Sequence, residues 1–348
     1  MTAEKSATKR IGSGHTRLDW REMRQWVEDF KLHLFDISYE LQKDDESQPR
    51  VDLRKKCYAI MDEFNEKLTA TAELMSDKQA DNDFWSYAFR EIFPYFMRSR
   101  FAERAYYKPK GYAGDFLMME MIYRNREEGD GKLGKLIDGW CLETGAARAV
   151  RGRRKYLKEK LSELSIKMPT SGMIRVTNLG CGANRELFDF FEEYPFTERI
   201  EALCIDADID ALEYTNRFVN VFPHRASVRL LRGNIIRWAL GRIFHQMRLQ
   251  NIIYSAGLAD YLDDEVFTLL VRRAYECLDE NGALIIGNFG DSNHNRAFLD
   301  NILQWKLIHR TEEDLRKIFS KTAFGGNISV ESEENGINLF AIGAKRNS

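Results

Sequence analysis

Five cysteines and six histidines are spread over 348 residues without grouping. Cys57, Cys141, Cys181, Cys204 and Cys277 form no CxxC pair, which argues against a disulfide framework or a zinc site and reads as reduced, packing thiols. His15, His33, His224, His245, His294 and His309 show no metal-ligand spacing with carboxylates or cysteines, so no metal is expected. A field of one sign is also missing: 52 Lys and Arg stand against 54 Asp and Glu, a balance that selects neither nucleic acid nor a membrane surface. No apolar run approaches the roughly 18 residues of a membrane span, and no signal peptide is read at the start. A cytoplasmic protein is expected, with no indication of its oligomeric state.

What the chain does have is core-forming capacity, with 44% hydrophobic residues and a length that suits two domains. Residues 1–15 are polar and aperiodic and read as a mobile tail. From residue 16 to 166 the apolar residues recur at helical spacing; Met23, Trp26, Phe30, Leu34 and Ile37 fall on one stripe of a single helix. Further helices are predicted over 51–76, 82–105 and 133–165, with Pro49, Pro94 and Pro109 at breaks or starts. The aromatic stripes of this region read as core, with a ligand pocket as the alternative. The basic run Arg148, Arg151, Arg153, Arg154 and Lys155 reads as a solvated face or as ion pairing with the second domain, because Glu159 and Glu163 follow on the same helix.

After a short linker the periodicity changes. Over residues 172–348 strands are predicted near 173–179, 200–205, 227–232, 250–255 and 282–288, alternating with helices near 184–194, 209–219, 265–277 and 311–320. Two final strand-like runs, 326–332 and 337–344, flank the turn Glu333-Glu-Asn-Gly336. The fold class is therefore α/β, a Rossmann-like seven-stranded sheet with an antiparallel C-terminal hairpin, preceded by an all-helical domain.

The most informative segment is Asn178-Leu-Gly180-Cys-Gly182-Ala-Asn184, where an apolar strand runs into a Gly-x-Gly turn and a helix. A second strand ends on Asp206, 24 residues past Gly182. Glycines let the backbone approach a ligand, and a carboxylate at the next strand tip accepts both hydroxyls of a ribose. The third glycine of the dinucleotide fingerprint is absent, which disfavours a pyrophosphate cradle.

Residues 172–345 resemble the class I S-adenosylmethionine-dependent methyltransferase superfamily, segment by segment. The resemblance implies S-adenosyl-L-methionine as cofactor, with Gly180, Gly182 and Asn184 under its methionine and ribose parts and Asp206 on the ribose. It also implies Asn234 and Ile235 at the adenine, and Ser255 and Ala256 at the end of a fourth strand that faces the transferred group. Asn178, Asn234 and Asn251 stand where the superfamily often has Asp; they read as neutral replacements, the alternative being a weaker negative field on a sulfonium, since an amide keeps acceptor capacity but removes a charge.

Candidates for the acceptor side lie in two places. Asp260-Tyr261 follows the fourth strand, where the alternative is that Tyr261 packs and Asp260 caps a helix. Tyr107, Tyr112 and Asp115 lie in the glycine-punctuated loop Tyr106–Asp115, which reads as a lid with aromatic faces suited to a sulfonium. That loop, Ala256–Leu262 and Trp305–Leu315 are similar to a bacterial group of class I enzymes with a long helical N-terminal region. The group includes methyltransferases that make 3-hydroxy fatty acid methyl esters, and azetidine-2-carboxylate synthases are similar in architecture. Small-molecule O-methylation is the implied function. Cyclisation of the cofactor with release of methylthioadenosine is one alternative, and a non-catalytic binding module is another.

Overall fold

The computed structural model describes residues 20–43, 48–75, 78–219, 221, 223–242 and 247–346. The expected tail, His15 and His245 lie outside them. In α1 (Trp20–Gln42), Met23, Val27, Phe30, Leu34, Ile37 and Leu41 are buried at the helical period, and Trp26 is half-buried beside them. Phe30 stacks on Phe64 of α2 (Val51–Leu74) with ring centroids 3.8 Å apart.

Two of the expected helices are each divided. The stretch predicted over 82–105 forms α3 (Lys78–Phe96) and α4 (Arg100–Tyr107). Pro94 does not mark a boundary but sits in the last turn of α3, two residues before its end, where its missing N–H costs the helix one bond to the turn before it. The break itself is fixed from a distance. Ser99 caps α4 by accepting the Ala102 N–H, and buried Asp138 accepts from the Ser99 hydroxyl at 2.6 Å and the Phe101 N–H at 3.1 Å. After α5 (Phe116–Arg124), which the periodicity did not announce, the stretch predicted over 133–165 forms α6 (Gly131–Glu143) and α7 (Gly145–Lys167), with Thr144 capping the latter.

The C-terminal half alternates as predicted: β1 (Ile174–Leu179), α8 (Arg185–Glu193), β2 (Ile200–Asp206), α9 (Ile209–Val219), β3 (Ser227–Arg232), α10 (Ile235–Ala239), β4 (Gln250–Ser255), α11 (Asp264–Cys277), β5 (Leu278–Phe289), α12 (Glu312–Ser320), β6 (Ile328–Ser332) and β7 (Asn338–Ala344). The seven strands lie in the order β3-β2-β1-β4-β5-β7-β6; β1 to β5 are parallel, and β7 runs antiparallel to both β5 and β6. The order reverses at β1, which pairs with β2 on one side and β4 on the other. That reversal opens a crevice at the carboxyl ends of these strands.

Phe190, Tyr254 and Phe340 pack one face of the sheet with Leu157 and Leu161 of α7, while Phe267, Val271, Ile318 and Phe319 pack the other. The helical half is not separately cored. Its cluster continues into Phe289 at the end of β5, Phe298, Ile302, Trp305 and Ile337. Ion pairs such as Arg154–Asp189 (2.5 Å) also cross this border, but a partly exposed pair contributes up to about 1 kcal/mol. Each buried aromatic or aliphatic side chain contributes roughly 1.5–3 kcal/mol, so the shared core holds the helices over the strand ends.

Candidate active site

The turn after β1 is built by three residues at positive φ: Gly180 (+71°), Gly182 (+52°) and Asn184 (+56°), residue types that tolerate the left-handed region. The N–H groups of Gly180 and Cys181 both donate to the Ile205 carbonyl, at 2.8 and 3.1 Å, and tie the turn to the tip of β2. Asp206 closes the unit. Its Oδ2 accepts the Gly182 N–H (2.8 Å) and its Oδ1 the Asp208 N–H (2.9 Å), so each carboxylate oxygen keeps a lone pair for a ligand hydroxyl. Burial pushes the Asp206 carboxyl pKa up, against the two backbone donors.

This turn forms the floor of a cavity of about 330 Å³ between the strand ends and the helical half. Asn234, Ile235, Ala256 and Leu258 line it from the sheet side; Tyr112, Phe116, Met119 and Tyr123 line it from above. A Cβ on Gly180 or Gly182 would meet nothing closer than Leu258 at 3.7 Å or Phe116 at 3.8 Å. The glycines therefore leave room for a flat ligand along the turn. A depression of about 480 Å³ beside Arg175, Glu201 and Arg229 is larger, but it opens at the opposite, amino-terminal ends of the strands, away from the switch point.

Of the expected cofactor residues, Gly180, Gly182, Asn184, Asp206, Asn234, Ile235 and Ala256 border the cavity. Ser255 does not. It is fully buried and donates to the Leu179 carbonyl at 2.7 Å, joining β4 to β1 behind the wall. Asn234 uses its Oδ1 to cap α10 through the Arg237 N–H. Asn251 lies at the far end of β4, where it accepts the Arg175 N–H, whereas Asn178 donates to Asn184 (2.8 Å) and Glu186 (3.0 Å) and leaves its Oδ1 buried without a partner.

Of the five acceptor-side candidates, Tyr112 and Tyr261 meet in the cavity, edge to face with centroids 5.8 Å apart. The Tyr261 hydroxyl accepts the Trp305 indole N–H at 3.0 Å, so its own proton is free to point elsewhere. Burial pushes both phenols up, and they remain neutral donors at physiological pH. Gly114 is required here, because a Cβ would collide with the Tyr261 hydroxyl. The other three stand away from the cavity. Tyr107 is 60% exposed against the edge of Tyr106. Asp115 is saturated: it caps α5 through the N–H groups of Leu117 and Met118 and pairs with Arg104 at 2.7 Å. Asp260 lies one layer behind the wall, accepting the Phe289 N–H at 2.7 Å, and burial pushes its carboxyl up to about 7 despite the nearby Arg153 and Arg310. The loop between α4 and α5 is latched to the sheet by Lys110, which pairs with Asp208 and Asp210 next to Asp206.

The family model described as "Putative methyltransferase" matches residues 112–212, from Tyr112 through the glycine turn and Asp206 to α9. The match spans less than a third of the chain and makes this stretch similar to methyltransferases. No curated protein matches the chain. Among solved structures, a "possible exported protein" from Bordetella parapertussis is 14% identical with a TM-score of 0.53, over 97% of this chain and all of that one, and shows the same fold. Magnesium protoporphyrin IX methyltransferase from Synechocystis, solved with S-adenosylhomocysteine, is 12% identical with a TM-score of 0.45 over 70% of this chain and 97% of its own. The N-methyltransferase NodS from Bradyrhizobium japonicum is 14% identical with a TM-score of 0.39 over 56% and 88%. Among the described residues, no helix is long and apolar enough to cross a membrane.

Sequence reasoning missed two charged residues that line the cavity, Arg153 and Glu186. Arg153 was hidden in a basic run read as surface. The signal that finds it is position: Val150, Arg153, Leu157 and Leu161 form the buried stripe of α7. Its neighbour Arg154 does pair across to the sheet half, through Asp189. Glu186, in the first turn of α8, accepts from the Tyr254 hydroxyl at 3.1 Å, and burial raises its pKa.

Proposed function

We propose that this protein is an S-adenosylmethionine-dependent methyltransferase that transfers a methyl group to an oxygen of a small-molecule acceptor bound against Tyr112 and Tyr261. The supporting observation is that a single cavity joins the Asp206–glycine unit to that tyrosine pair. The bound cofactor would supply a methyl group already activated by its sulfonium. Asp206 would hold the ribose diol through its two free lone pairs, the glycine turn would lie along the chain of the cofactor, and Asn234 and Ile235 would border the base. Tyr112 and Tyr261, neutral and fixed by packing, would orient the acceptor oxygen. Their raised pKa values suit hydrogen bonding, not proton abstraction, so positioning and exclusion of water carry the rate. Asp260 acts at most through the turn it braces, and Tyr107 and Asp115 drop out of the acceptor site.

The cysteines Cys57, Cys141, Cys181, Cys204 and Cys277 are all unpaired, which supports a reducing, cytoplasmic setting. The comparisons favour neither cyclisation nor a silent binding module. The test is incubation with methyl-labelled S-adenosylmethionine and a panel of hydroxyl, carboxyl, amine and thiol acceptors, read by mass spectrometry. Methylated product on oxygen with stoichiometric S-adenosylhomocysteine is expected. Methylthioadenosine released without acceptor, or binding without any turnover, overturns the proposal.

A further inference from the structure

Arg153 reaches the cavity from α7 with only 7% of its surface exposed. Its Nη2 lies 2.9 Å from the Met119 sulfur, a weak acceptor, the neutral Tyr123 phenol also hydrogen-bonds it, and its Nε is buried without a partner. On the other side it presses on the backbone: a Cβ at Gly257 would come within 2.8 Å of its Nη1. Among the described residues, no carboxylate lies within the 4 Å of an ion pair to it. Asp260 and Glu186 are near enough to act on its charge, yet burial pushes both of these acids toward their neutral forms. A guanidinium taken out of water is costly unless an anion meets it, and its planar fork fits a carboxylate with two parallel hydrogen bonds. None of the backbone N–H groups of Gly180, Cys181 and Gly182 is left to serve, since each is already donated within the turn.

We propose that Arg153 is the carboxylate-recognising residue of this cavity, a specificity determinant that pairs with a carboxylate of the bound ligands. The proposal rests on reading the cavity as the methyl-transfer site. Two ligands could bring the carboxylate: the amino-acid end of the cofactor or an acidic acceptor. Arg153, Glu186 and Tyr261 all line the one cavity, so a carboxylate from either ligand could meet the guanidinium there.

Calorimetry separates these sources. Wild type, Arg153→Gln, Arg153→Lys and Gly257→Ala are titrated with S-adenosylhomocysteine and with methylthioadenosine, which lacks the amino acid. The complexes saturated with S-adenosylhomocysteine are then titrated with benzoate and with benzyl alcohol. If the cofactor supplies the carboxylate, Arg153→Gln weakens S-adenosylhomocysteine on the order of 10- to 100-fold and leaves methylthioadenosine unchanged, which also shows that the variant is folded. If the acceptor supplies it, both nucleosides bind as before and benzoate alone is lost. In either case Arg153→Lys keeps the charge but not the fork and recovers part of the affinity, and Gly257→Ala, which crowds the guanidinium, reproduces the loss more mildly. Unchanged affinity of Arg153→Gln for both S-adenosylhomocysteine and benzoate overturns the assignment. Failure of wild type to bind either nucleoside is a separate result that removes the reading of the cavity, and this proposal with it.

Discussion

The sheet half and the helical half place their functional groups by different rules. In the sheet half the groups sit at the ends of β1, β2, β4 and in the turn after β3, so a strand pattern in the sequence already says where they converge. In the helical half, Tyr112, Met119, Tyr123 and Arg153 come from a loop and two helices whose meeting point only the packing defines. Under the proposed function, the difference teaches that the cofactor side of the site is a local property of this chain, whereas the acceptor side is a tertiary one.

Three substitutions test that division, and the largest effect is expected on the sheet side. Asp206→Ala removes both free lone pairs at the β2 tip and should weaken S-adenosylhomocysteine on the order of 100-fold by calorimetry, since two charge-assisted hydrogen bonds are lost. A small change there would mean that the helical half contributes the grip after all. Gly114→Ala should do the opposite. Its Cβ displaces the Tyr261 hydroxyl, and about a tenfold fall in kcat/KM is expected with cofactor affinity within twofold of wild type. Equal losses in binding and turnover would break the separation between the halves.

The smallest effect concerns Asp260, which braces the border. Its carboxyl is raised from 3.8 to about 7 in the folded protein, so the folded state holds that proton more tightly than the unfolded chain. The stabilisation from this proton is fully present below about pH 4 and is lost as pH rises through about 7. Relative to Asp260→Asn, the wild type should therefore lose Tm between pH 5 and 8. Thermal unfolding across that range checks the sign, and a pH-independent difference would show that Asp260 is not perturbed.

The parts legible in the sequence share a cause. The central strands β1, β4 and β5 carry apolar runs bounded by turn residues, and parallel strands buried on both faces leave little room for another reading. The glycine turn and Asp206 were legible because backbone conformation and strand order dictate them. The helix breaks were not: the one before Arg100 depends on Asp138 reaching Ser99 and Phe101 from α6. Asp115 drew a catalytic reading from its aromatic and glycine neighbours, although an acid directly before the apolar run Phe116-Leu-Met-Met119 is also the mark of a helix start. Arg153 was passed over because charge outweighed position on the stripe.

The common core of the two halves limits how the cavity can open. Phe298, Trp305 and Ile337 plug into the helical bundle from the sheet side, so the roof cannot swing away as a rigid piece without exposing that apolar seam to water. The loop from Lys108 to Asp115 is tied down with it: Ala113 is buried in the same seam, Lys110 pairs with Asp208 and Asp210, and Gly111 (φ +89°) lets the chain turn between these two anchors.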